Sequence, residues 1–124
     1  MSAPLRTAYK RGRELEHRIR DELLAAGYQV IRGAGSRGAG DLWAAKLGGD
    51  GTTLLLFVQV KRGGMSPLSI LSVAAWNALL DAARAAGGLP ILATAAPRCA
   101  TVYWRILGPR LPHGRARTWE EFAI

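Results

Sequence analysis

Asp41-Leu-Trp-Ala-Ala-Lys-Leu-Gly-Gly-Asp-Gly-Thr-Thr-Leu-Leu-Leu-Phe-Val-Gln-Val-Lys61 is the stretch that decides the fold. Its two apolar-rich runs, 41–47 and 53–61, flank Gly48-Gly-Asp-Gly51, a hairpin signal, so they read as paired strands. Leu54 to Val58 is continuously apolar, the pattern of a strand buried on both faces. On the N-terminal side, Gly33 to Gly40 reads as a flexible turn carrying Ser36 and Arg37, and Tyr28-Gln-Val-Ile-Arg32 alternates as a strand. Before it, residues 8–26 predict an amphipathic helix whose stripe is Leu15, Ile19 and Leu23, with Gly27 as its C-cap. On the C-terminal side come a loop over 62–68 and a helix over 69–86, with Ser69 or Ser72 as cap and Gly87-Gly88 as its stop. Two strands follow, at 89–95 and 101–107, split by Ala96-Pro-Arg-Cys99. From 108 to 124 the chain is rich in Pro, Gly and Arg and reads as a loose basic tail, with at most a half-turn at Trp119-Glu-Glu-Phe122. The expected order is αβββαββ: one α/β domain over 1–124 with a mixed central sheet and its core at about 8–107.

Composition sets the bounds. The chain has 124 residues, 49% of them hydrophobic, which suits one domain with one core. No apolar run approaches the ~20 residues of a membrane-spanning helix. The first residues lack the apolar core of a secretory signal, so a cytoplasmic location is expected. Cys99 is the single cysteine, which excludes an internal disulfide and a Cys-rich zinc site; it reads as a small apolar filler in or beside a strand. His17 and His113 have no ligand-like spacing, so a His-based metal centre is not expected. The formal charge of +8, with a pI near 10.8, fits a polyanionic partner, either nucleic acid or an anionic membrane face. An arginine-rich genome or a heat-adapted source gives the same balance.

Alternation puts Gln59 and Lys61 on one face of their strand. If the hairpin pairs as expected, Asp41 lies opposite the end of that strand. A carboxylate, an amide oxygen and an ammonium then meet at one corner of the sheet. That grouping suits metal-assisted phosphodiester hydrolysis, since hard cations such as Mg²⁺ take a few oxygen ligands and activate water, while Lys61 orients that water or stabilises charge on phosphorus. An Asp and a Gln-x-Lys triplet also arise by chance on the wet end of a strand. The first helix offers Glu14, Glu16 and Glu22 as a further acid; Glu16 is at the edge of the buried stripe, and the other two suit pairing with nearby arginines. Tyr9, Lys10, Arg11, Arg13, Arg18 and Arg20 cluster near the helix start, Arg32 and Arg37 flank the glycine turn, and Arg62 follows Lys61. These cations bracket the acids in sequence, as a cleavage site in a basic cleft requires. Trp43, Trp76 and Trp104 read as core or interface residues, with Trp76 and Leu79 as a candidate subunit contact.

Lys10-Arg-Gly-Arg-Glu-Leu-Glu16, Gly27-Tyr-Gln-Val-Ile-Arg-Gly-Ala-Gly-Ser36, Asp41-Leu-Trp-Ala44, Gln59-Val-Lys61 and Ala86-Gly-Gly-Leu-Pro-Ile-Leu-Ala93 follow one another in this order, with a weaker segment at Tyr103-Trp-Arg-Ile106. Together they resemble the archaeal-type Holliday junction resolvases of the restriction-endonuclease-like superfamily, over roughly residues 9–107. The resemblance implies that fold, a homodimer, Mg²⁺ with Mn²⁺ as substitute and no small-molecule cofactor. It further implies symmetric nicking of four-way and other branched DNA by a bacterial, archaeal or viral, nucleoid-associated enzyme. It gives Glu16 the place of the helix-one glutamate, Asp41 that of the metal-binding aspartate, Lys61 that of the catalytic lysine and Ser36 that of the serine near the scissile phosphate, with Asp41, Glu16 and Gln59 expected around the metal. Lys10, Arg11, Arg13, Arg32, Arg37 and Arg62 are the expected DNA contacts. One position departs: the family has glutamate where this chain has Gln59, whose amide oxygen is still a hard ligand but carries no charge. Two other readings therefore stand beside the resolvase. One is a junction-binding module without catalysis; the other is a related nuclease acting on flaps, mismatches or plain duplex.

Overall fold

A computed structural model describes residues 3–33, 42–63, 66–96, 98–112 and 117–124, with residues 3–11 as backbone alone. Its elements are α1 (Ala3–Ala25), β1 (Gln29–Arg32), β2 (Leu42–Leu47), β3 (Thr53–Arg62), α2 (Pro67–Ile70), α3 (Val73–Ala85), β4 (Leu89–Ala95), β5 (Val102–Ile106) and β6 (Trp119–Glu121). The strands form one sheet in sequence order, antiparallel throughout except for the parallel pair β3–β4. The mixed central sheet flanked by helices is as expected. So is the hairpin: Leu42 pairs with Val58 and Leu47 with Thr53, and Gly51 turns the chain at φ 85°.

Alternation along β3 divides its apolar run between two cores. Leu56, Val58 and Val60 pack under α1 with Leu15, Ile19 and Leu23, and Phe57 packs under α3 with Trp76, Leu79, Leu80 and Ala83. Burying Ile19 and Leu23 completely stabilises the fold by about 1.5–3 kcal/mol each. Gly27 closes α1 at φ 96° and Gly87 closes α3 at φ 72°, both in the left-handed region that glycine tolerates.

Five expectations need correction. The first helix starts at Ala3, not residue 8. The second is broken in two, because Leu71 is extended (φ −106°, ψ 136°) and Ser72 then caps α3 by accepting from the Ala75 N–H at 3.1 Å. The described part of the C-terminal stretch is not a loose tail. The Trp119–Glu121 segment is a sixth strand, antiparallel to β5, and not a half-turn. Ahead of it, Asn77 locks the chain to α3: its Nδ2 donates to the Arg110 carbonyl at 3.0 Å and its Oδ1 accepts from the Arg110 N–H at 2.8 Å. Finally, Trp76 and Leu79 are each 0% exposed, so they belong to the core of the single chain and cannot form a subunit contact. The Trp76 indole N–H donates to the Gly108 carbonyl at 3.0 Å, and its ring meets Trp119 edge-on at 5.8 Å. Cys99 is exposed in the turn between β4 and β5 and fills no core.

Glu22 ties α1 to β5 and the residues just before it. Its carboxylate accepts from the Tyr103 hydroxyl at 2.7 Å, from Thr101 Oγ1 at 3.1 Å and from Arg18 Nε at 3.4 Å. Burial, then the hydrogen bond and the charge of Glu22, hold the Tyr103 phenol above its ordinary pKa. A folded-state pKa raised in this way contributes stability that is complete below about pH 10 and falls as the pH rises further, because the unfolded chain ionises first. Tyr103→Phe is expected to cost about 1 kcal/mol at neutral pH and to flatten the alkaline loss. Urea unfolding at neutral pH and above pH 10 checks both; an alkaline loss as steep in the variant would contradict the assignment.

Candidate active site at one end of the sheet

The candidate residues gather where β1 and β3 end and β2 begins. Arg32, Leu42 and Val58 form one row across these three strands, and Gln59, Lys61 and Arg62 continue β3 beyond it. With about 3.3 Å per residue, Lys61 lies roughly 10 Å past the row. Gln59 and Lys61 alternate with the inward-facing Val58 and Val60, so they share the α3 side of the sheet. Gln59 is half-buried and Lys61 exposed, as an amide and an ammonium at the wet end of a strand should be.

Glu16 occupies the opposite face. It projects from α1 beside Leu15, with its side chain only 15% exposed, and accepts from Arg32 Nε at 2.6 Å. The ion pair is short and charge-assisted, and it holds the half-exposed Arg32 guanidinium at the end of β1. Glu16 thus reaches past the core to the sheet, as its position predicts. Its partner among the described residues is an arginine, and Gln59 and Lys61 point to the other side.

Of the remaining candidates, Arg13 is exposed on α1 and Arg62 at the end of β3. Ser36, Arg37 and Asp41, and the side chains of Lys10 and Arg11, lie outside the described residues. Among the described residues no group of three or more His, Cys, Asp or Glu side chains comes together. Arg98 had no place in the sequence reading. It follows β4 in the chain, and the parallel pairing of β3 with β4 brings it to the same cleft as Arg62 and Arg18. Only the strand order reveals this, because Arg98 is 36 positions from Arg62 in the sequence.

No protein-family model matches the chain, and no curated protein matches it in sequence. A solved structure does. The chain is similar to Hjc, a Holliday junction resolvase from the hyperthermophilic archaeon Archaeoglobus fulgidus, at 30% identity. The similarity covers 75% of this chain and 70% of the other, with a TM-score of 0.60.

Proposed function

The chain belongs to the archaeal-type Holliday junction resolvases, with a restriction-endonuclease-like fold, and on that premise we propose that it nicks four-way DNA junctions symmetrically as a homodimer. The observation that carries this reading is the pairing of Gln59 with Lys61 on one face of β3, at the end of a sheet that matches a resolvase. In this reading Lys61 faces the reacting phosphate and stabilises the charge that develops on it. Arg32, held by Glu16, and Ser36 hold phosphate oxygens, and Arg13, Arg37, Lys10, Arg11 and Arg62 supply the salt-sensitive part of the affinity.

A divalent cation, Mg²⁺ or Mn²⁺, is part of the proposal. The described donors fit it in part: Gln59 offers a neutral amide oxygen, and the Glu16 carboxylate is engaged by Arg32. Asp41 and Gln59 would be the oxygen donors, a set that suits a small hard ion keeping several waters. Such an ion supplies positive charge at the phosphate and makes water more acidic. Glu16, expected as a third metal ligand, is instead taken up by Arg32 and acts in this site by fixing that guanidinium.

Two opposed cuts require two copies, related by a twofold axis. Ile31 (68% exposed) and Trp43 (46% exposed) face each other across β1 and β2. These neighbouring apolar side chains are the surface we assign to the second copy. Among the described residues no helix is long and apolar enough to cross a membrane.

A second reading, a junction-binding module that does not cut, is favoured by Gln59 and by the engaged Glu16. One experiment separates the two. A four-way junction and a linear duplex of the same sequence are incubated with Mg²⁺, Mn²⁺ or EDTA, using the chain and its Gln59→Glu variant. The proposal expects metal-dependent cuts in the junction alone, and faster cutting by the variant. Junction binding without cuts by the chain, with cuts by Gln59→Glu, would make this sequence a disabled nuclease; no cuts by either would leave the binding module.

A further inference from the structure

The carboxyl ends of β3 and β4 carry a cleft on the face of the sheet away from Gln59 and Lys61. Arg62 follows Lys61, so alternation turns it to the opposite face, the one covered by α1. There it lines a cleft with Arg18 of α1 and Arg98 of the β4–β5 turn, together with the buried Leu15 and Ala95 and the exposed Glu14. The exposed guanidinium groups of Arg62 and Arg98 thus stand against the Glu14 carboxylate, while Arg18 is paired with Glu22.

The arginines differ in how they are held. Arg18 is fixed across the elements: its Nη2 donates to the Cys99 carbonyl at 3.0 Å and its Nε to Glu22 at 3.4 Å. Arg62 and Arg98 are both exposed and bring their charge to the cleft. Arg98 also has a φ of 61°, and is the one non-glycine residue with positive φ among those described. The Cys99 N–H donates to the Ala96 carbonyl at 3.1 Å, closing a turn in which Arg98 holds a left-handed position that favours glycine. Planar guanidinium forks bind phosphate oxygens in pairs, which lysines do not.

We propose that this cleft binds a backbone phosphate of the DNA, distinct from the phosphate that reacts near Lys61. The inference rests on the DNA reading above. Lys61 and Arg62 are consecutive and lie on opposite faces of the same strand end. A DNA strand that passes Lys61 and continues round the end of β3 therefore brings a neighbouring phosphate to the cleft. Glu14 opposes that phosphate and limits how tightly it is held.

The test is junction binding by gel shift or anisotropy in EDTA, where a metal-dependent nuclease does not cut, over a series of salt concentrations. Arg98→Gly is the informative variant because glycine suits the backbone there; its unfolding midpoint should equal or exceed that of the unmodified chain. Its affinity is expected to fall roughly three- to tenfold at ~0.1 M salt, and its log–log salt slope to drop by about 1. Glu14→Gln should move affinity the other way, by a few-fold. An Arg98→Gly curve that overlays the unmodified one in affinity and slope would overturn the cleft while leaving the resolvase reading intact. A chain that binds no junction at all would overturn both.

Discussion

Lys61→Ala is expected to slow junction cleavage by about 10²–10³-fold, the usual cost of removing one group that stabilises charge on the reacting centre, with junction affinity changed by only a few-fold. Lys61 is exposed at the end of β3, and its alternation partners Val60 and Arg62 keep their places, so the fold should be unaffected. Affinity should persist because many phosphate contacts share it. Single-turnover cleavage with saturating protein reads the chemical step apart from binding. A variant that cuts at the full rate would remove Lys61 from the reaction. A variant that loses affinity and rate in equal measure would make it a binding contact only.

Trp76→Ala is expected to cost about 3–5 kcal/mol of folding stability, the range for removing a large buried aromatic side chain, out of a total that is commonly about 5–15 kcal/mol. Trp76 is 0% exposed, donates to Gly108 and packs edge-on against Trp119. The Arg110 guanidinium lies 5.8 Å from its ring centre. Its loss should therefore weaken the docking of β6 as well as the core under α3. Trp76→Phe keeps much of the packing and loses the hydrogen bond, and should cost much less. Urea unfolding measures both, and hydrogen exchange in residues 117–122 should rise more than in β3. A loss below 1 kcal/mol for Trp76→Ala would contradict its burial and favour the subunit contact instead.

Trp76 shows where the sequence stops being legible. Spacing identifies an apolar helix face, but what covers that face comes from Gly108, Arg110 and Trp119, more than 30 positions later. The covering segment is rich in Pro, Gly and Arg, a composition that reads as loop. Its strand has three residues, too few for any alternation to register, and exists because β5 and Trp76 receive it. The central hairpin was legible for the opposite reason. A glycine turn between two long apolar runs fixes pairing locally, and the run from Leu54 to Val58 announced burial on both faces.

The site divides along the same line. The common face of Gln59 and Lys61 follows from the period of a strand and needs no structure. Which face of the sheet α1 covers is a matter of packing, and spacing does not encode it. That choice places Glu16 with Arg32, across the sheet from Gln59 and Lys61. Arg98 was invisible for a further reason: its neighbours Arg18 and Arg62 come from two other elements, brought to it by the parallel pairing of β3 with β4 and by the hydrogen bond from Arg18 to the Cys99 carbonyl.

In the proposed reaction two copies of this site cut opposed strands of one junction. A four-way junction labelled in turn on each of its four strands, incubated with Mg²⁺ and analysed for nick positions, tests it most directly. Nicks are expected on two opposed strands at symmetry-related positions, absent in EDTA and absent from linear duplex. Nicks that are unpaired, or equally frequent in linear duplex, would contradict it.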